Sequence, residues 1–273
     1  MRVSNELFDP TQLYWQDYLP LLQQFEGHQF PNCDQLNSQL PDGLVSQGGH
    51  AIRFVPSNEL GDEAYEHRIY TSGQVSTRTE SWHDLFNALV WMRFPQIKTA
   101  MNALHFQAFD QQSKGSRGHL RDALTLFDEC GVLVYSRQAG LLESLAERRW
   151  ERTFQYSKLS WGTDIQIAIS GHAMLEKYLS PYKSMTAKAL LVQLDENLPQ
   201  MSRNDLLKLL DNGIATQLLN GNILTTPASL APLPLAGIPN WWPGHEQSAA
   251  FYNDPQVFRP PPAGLQPMPV IRV

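Results

Sequence analysis

Hydrophobic and polar positions recur at helical spacing most clearly between Ser81 and Asp110, in SWHDLFNALVWMRFPQIKTAMNALHFQAFD. Trp82, Leu85, Phe86 and Leu89 share one helix face, which the pattern assigns to the core. Ser81 precedes the periodicity as an N-cap, and Asp84, three places on, completes a capping box. Pro95 lacks an amide donor and clashes with a preceding helical turn, but it suits the first turn of a new helix. The pattern therefore predicts two helices hinged at Phe94-Pro95, the second running from Gln96 to about Asp110. Ile97, Ala100, Met101, Leu104 and Ala108 form its apolar face, and Lys98, Asn102 and His105 form a polar stripe. If the helices fold back on each other, that stripe and the His83/Asn87 stripe of the first helix face one cleft.

Elsewhere the periodicity predicts a helix over Thr11 to Phe25, strands at Ala51 to Val55 and Arg68 to Thr71, and a hairpin within Tyr65 to Thr79. Ala123 to Phe127 and Val132 to Tyr135 are apolar runs separated by Asp128-Glu129-Cys130-Gly131, which reads as a hairpin closed by a glycine of positive φ. Helices are expected over Leu141 to Phe154 and Thr163 to Tyr178, and a strand over Ala189 to Leu194. Another helix opens at Ser202, with Asp205 in the capping-box position. Past Gly221 the chain is rich in proline, yet Trp241, Trp242, Phe251, Tyr252 and Phe258 offer more aromatic area than a disordered tail holds, so an ordered wrap is expected. The expected architecture is α+β. One globular domain spans 1–273, with several helices on a small, mainly antiparallel sheet, a core over about 8–220 and an extended Pro/Trp-rich C-terminal wrap over about 221–262.

Composition narrows the function classes. The chain has 273 residues, 42% of them hydrophobic, and a net charge of −6, with no long run of Lys or Arg. That balance disfavours a phosphate-backbone partner, so nucleic acid is excluded from the expectation. The two cysteines, Cys33 and Cys130, match no metal or redox spacing and fit a reducing compartment. The first residues lack the order of a secretion signal, and no apolar run approaches the roughly 18 residues of a membrane span. A cytoplasmic protein without a membrane partner is expected.

The candidate chemistry is scattered. His172 and Glu176 stand one turn apart, a spacing that lets two side chains share a metal ion or a proton, although a buried histidine with a carboxylate partner has the same pattern. Arg121 and Asp122 stand at the mouth of the predicted strand, as a structural ion pair or as part of a site. Asp128 and Glu129 invite a metal-ligand reading, but turns select such residues. Lys183 and Lys188 flank Ser184 and Thr186 without a glycine-rich cradle, so a phosphate loop fails on spacing.

The order SWHDLFNALVW, FPQIK with Asn102 and His105 downstream, RDALTLFDECG, GHAMLEKYLSPYKSMTAKALL and GIPNWWP followed by FYNDPQVFRP resembles the bacterial family catalogued as domain of unknown function 3025, over roughly Phe8 to Pro260. The resemblance implies a cytoplasmic bacterial protein of one shared architecture and transfers no catalytic residue. Two readings of function follow. One is an enzyme or small-molecule binder whose pocket is lined by His83, Asn87, His105, Arg121, Asp122, His172 and Glu176. The other is a non-catalytic interaction module that presents Trp241 and Trp242 to a protein partner. The sequence names no cofactor and leaves a metal unassigned.

Overall fold

The computed structural model describes residues 8–25, 30–110, 118–242, 247–264 and 266–273. Nine α-helices are named among them: α1 (Leu19–Leu22), α2 (Cys33–Asn37), α3 (Tyr65–Ser72), α4 (Trp82–Arg93), α5 (Pro95–Asp110), α6 (His119–Cys130), α7 (Ala139–Ala146), α8 (His172–Lys177) and α9 (Arg203–Leu219). The strands are β1 (Arg53–Pro56), β2 (Gln74–Thr77), β3 (Gly131–Ser136), β4 (Ile165–Ile169), β5 (Thr186–Gln193), β6 (Ala231–Pro234) and β7 (Val270–Arg272).

The fold is α+β, and its main sheet runs β4-β3-β5-β6, with β7 beside the far half of β5. The sheet is mixed, which corrects the expectation of a mainly antiparallel one. β3 and β5 are parallel, with Leu133 opposite Leu190, and β7 is also parallel to β5, while β4 and β6 pair antiparallel. The reason is visible in β3, whose residues are buried throughout. A strand covered on both faces reads as a continuous apolar run and suits parallel pairing inside a helical coat. β1 and β2 form a separate parallel pair, Phe54 opposite Val75, joined by α3. The outer edge of β4 is closed by side chains: Tyr18 Oη donates to the Ile169 carbonyl at 2.5 Å and Arg203 Nη2 to the Ile167 carbonyl at 2.7 Å.

The central pair of helices forms as expected. Ser81 Oγ accepts from the Asp84 amide at 3.3 Å, so Ser81 is the N-cap of α4. The capping box does not close, because the Asp84 carboxylate instead takes the Arg78 amide at 2.6 Å and its guanidinium at 2.7 and 3.0 Å. Pro95 opens α5, and the next two amides, of Gln96 and Ile97, donate to the carboxylate of Asp211 on α9 at 3.0 and 2.8 Å. A helix start that lacks a local cap is thus satisfied across the core.

Several local expectations are corrected. Ala123 to Phe127 is not a strand but part of α6, where Ala123, Leu124 and Phe127 are buried at helical spacing and Asp122 and Thr125 are exposed. Asp128 and Glu129 therefore end a helix and turn no hairpin, and Gly131 has φ −69, not a positive value. Arg68 to Thr71 belongs to α3, which removes the hairpin there. The helix expected over Thr163 to Tyr178 is a strand, β4, then Gly171, then α8, as β-branched Ile165, Ile167 and Ile169 alternate along the sheet. The helix expected to Phe154 stops at Ala146, and after Arg148 (φ 55) a π-helical turn covers Glu151–Tyr156. The Thr11 to Phe25 helix is broken into short turns around Pro20.

The C-terminal segment packs on the body within its described residues. Trp241 is 3% exposed and sits against Tyr14 and Tyr178, while Tyr252 and Phe258 pack on Phe154. Trp241 is therefore core, which removes it from any recognition surface. Among the described residues no helix is long and apolar enough to cross a membrane.

Candidate functional site

The site is assembled by a close backbone crossing. α6 runs into β3 at Gly131, and β4 runs into α8 at Gly171. The Ser170 and Gly171 amides both donate to the Gly131 carbonyl, at 3.0 and 2.8 Å. A Cβ on Gly171 would stand 2.4 Å from the Gly131 nitrogen and 2.6 Å from the Glu129 carbonyl oxygen, so only glycine allows this approach. Its consequence is that His172, the first residue of α8, is held over Asp128 and Glu129 in the last turn of α6. α4 packs on α8 and brings in His83 from its own first turn.

The two imidazoles meet edge to face, with ring centroids 4.4 Å apart at 81°. His83 Nε2 lies 3.0 Å from His172 Nε2. Behind them, His83 Nδ1 is 3.0 Å from Glu176 Oε2, and His172 Nδ1 is 3.6 Å from Asp128 Oδ2. The latter is too long for a hydrogen bond, and His172 Nδ1 has no hydrogen-bond partner among the described residues. The Glu176 carboxylate assigns the His83 proton to Nδ1, which leaves His83 Nε2 with a lone pair facing His172. With its proton on Nε2, His172 donates to that lone pair; with its proton on Nδ1, two lone pairs face each other and suit a cation between them. Glu129 Oε1 completes the group at 3.9 Å from His172 Nε2, so His83, Glu129 and His172 could hold a metal ion between their donor atoms.

The electrostatics fit a neutral imidazole at His172. His172 is 5% exposed, and burial, reinforced by Lys98 and His83, pushes its pKa down to about 4 against the pull of Asp128. Burial drives Asp128 up, yet Lys98 foremost, with His172, outweighs it and holds the carboxyl below its ordinary value. Lys98 Nζ lies 2.5 Å from Asp128 Oδ1 and 3.0 Å from Asn87 Oδ1. Burial also lowers His105, whose Nδ1 has no hydrogen-bond partner among the described residues.

These groups open onto a cavity of about 470 Å³, lined by Tyr65, His83, Asn87, His105, Arg121, Glu129 and His172 among others. Of the residues expected from sequence, His83, His105, Arg121 and His172 line it, and Glu176 reaches it through His83. Asp122 is exposed and does not line it. The stripes of the two hinged helices do converge: His83, Asn87 and His105 line the cavity, and Lys98 and Asn102 line a smaller recess behind it. Tyr65 carries no signal in the sequence, whereas Asp128 and Glu129 invite a metal-ligand reading there that the turn reading outweighs.

A family model described as "Protein of unknown function (DUF3025)" matches residues 52–261, a span that contains every residue of this cluster. No curated protein and no solved structure matches the chain.

Proposed function

This chain belongs to the DUF3025 family of proteins of unknown function, and we propose that it is an enzyme acting on a small molecule through a divalent metal ion held by His83, Glu129 and His172. The observation that carries this reading is the 3.0 Å approach of two Nε2 atoms whose Nδ1 sides both face carboxyl groups. Two nitrogens bound at about 2.0–2.1 Å to one cation stand about 2.9 Å apart at a right angle and about 3.4 Å apart at the tetrahedral angle, so the pair needs to open only slightly to share an ion. Carboxylates behind ligating histidines are the usual support of such rings, fixing tautomer and orientation. Three protein ligands leave coordination positions open, the arrangement of catalytic sites, whereas structural sites are closed.

The donor set of two imidazoles and a carboxylate, without sulfur, favours borderline ions such as Zn²⁺ and Fe²⁺. A bound dication supplies a Lewis acid and lowers the pKa of water, which places metal-assisted hydrolysis or addition to a polarised oxygen in the reaction class. The chain's own residues have separate tasks. Glu176 orients the His83 ring, Asp128 stands beside His172 with its charge offset by Lys98, and the cavity wall receives the substrate.

Metal-depleted protein titrated with Zn²⁺ by calorimetry tests the reading. About one ion per chain is expected, with affinity reduced at least 100-fold in His172→Ala, since each ligand is an essential part of a three-ligand set. Binding below about a tenth of an ion per chain rejects the metal and leaves a proton shared between the imidazoles.

A further inference from the structure

The direction of one hydrogen-bond chain in the cavity wall is fixed by its first member. Lys98 Nζ has protons to give and no lone pair, so the side-chain oxygen of Asn87 must face it, at 3.0 Å. The Asn87 amide is thereby turned the other way and donates to Tyr65 Oη at 2.9 Å. A phenol oxygen that accepts in this way still carries its own proton. No acceptor among the described residues takes that proton. Tyr65 lines the same cavity as His83, Glu129 and His172, and the residue is 36% exposed. Burial of the hydroxyl, then Glu66 and Asp128, raises its pKa, so the group stays protonated and acts as a donor.

The placement of this donor sets a distance. His83 and Asn87 stand one turn apart on α4, roughly 6 Å between their Cβ atoms. Tyr65 is bonded to Asn87, one turn along α4 from His83, so its hydroxyl and the imidazole pair reach the cavity from different turns of the helix. One oxygen atom cannot serve both places. Arg78 and Arg121 stand in the wall among the carboxylates of Glu66 and Asp84, so bulk charge does not select the ligand.

Resting on the metal reading above, we infer that the cavity takes a ligand with two separated oxygen groups, one facing the His83/Glu129/His172 centre and the other accepting the Tyr65 hydrogen bond. Short dicarboxylic acids have this chemistry. Lys98 and Asn87 are positioning residues, since they make the Tyr65 oxygen an acceptor and so leave its own proton to donate.

The test uses the full chain loaded with Co²⁺ and titrated separately with acetate and with succinate, followed by the visible absorption of the ion. Succinate is expected to bind about tenfold more tightly than acetate, the scale of one hydrogen bond to a charged acceptor. Tyr65→Phe should erase that margin while Co²⁺ and acetate affinities stay at the parent values. Asn87→Asp should erase it too, because an aspartate accepts from both Lys98 and Tyr65 and draws the proton back into the wall. Equal affinities for the two acids in the parent protein, or an undiminished margin in Tyr65→Phe, overturns the inference and leaves the metal reading intact. Absence of Co²⁺ binding overturns both.

Discussion

Gly171 passes so close to the last turn of α6 that a Cβ would stand 2.6 Å from the carbonyl oxygen of Glu129. The obstructing atoms are backbone, so no side-chain rotation relieves the overlap. Gly171→Ala should therefore push α8 away from α6, costing about 2–3 kcal/mol of stability as overpacking does. It should also weaken metal binding, because His172 is the next residue. Urea denaturation alongside Zn²⁺ titration checks both effects, and a variant with the parent midpoint would show that the crossing has room to spare.

Lys98 and Asp128 form a charge pair, with the lysine side chain 5% exposed. Lys98→Met leaves the Asp128 carboxylate without its cation and should cost about 3–5 kcal/mol. The double variant Lys98→Met/Asp128→Asn should recover part of that loss, since it removes the stranded charge as well. A double-mutant cycle of denaturation midpoints measures the coupling. If the two single costs simply add, the pair does not act as a unit.

Burial pushes the Asp211 carboxyl up to about 7, against the Ile97 and Gln96 amides that hold it down. Its folded pKa thus lies above the unfolded value near 3.8. The native state binds more protons between those values, so this group makes stability fall as pH rises from about 4 to about 7, by up to about 4 kcal/mol. The contribution is fully present below the unfolded pKa and lost above the folded one. Asp211→Asn should flatten the stability profile in that window, as read from denaturation at pH 4, 5.5 and 7. Parallel profiles for the two proteins would mean that the α5 amides keep Asp211 ionised throughout.

The sequence was legible where local chemistry decides the outcome. Ser81 caps α4 because its hydroxyl needs only a neighbouring amide, and Pro95 restarts the helix because its ring forbids continuation. The aromatic residues of the C-terminal segment announced burial by their apolar area alone, and Trp241, Tyr252 and Phe258 are buried. Short apolar runs misled, since Ala123 to Phe127 satisfies either period and only packing against the sheet selects the helix. That error moved Asp128 and Glu129 into a turn and out of the site.

Local rules thus determined α4, α5 and the buried C-terminal aromatics, through caps, backbone restrictions and apolar area that act within a few residues. The site needed the tertiary structure. His172 and Glu176 share a helix, yet Glu176 supports His83, 93 positions away, and His172 meets that same ring across 89 positions. Such contacts arise from the packing of α4 on α8 and from the glycine crossing at Gly171. No periodicity encodes them, because side chains on different elements meet only after the core has fixed where each helix lies.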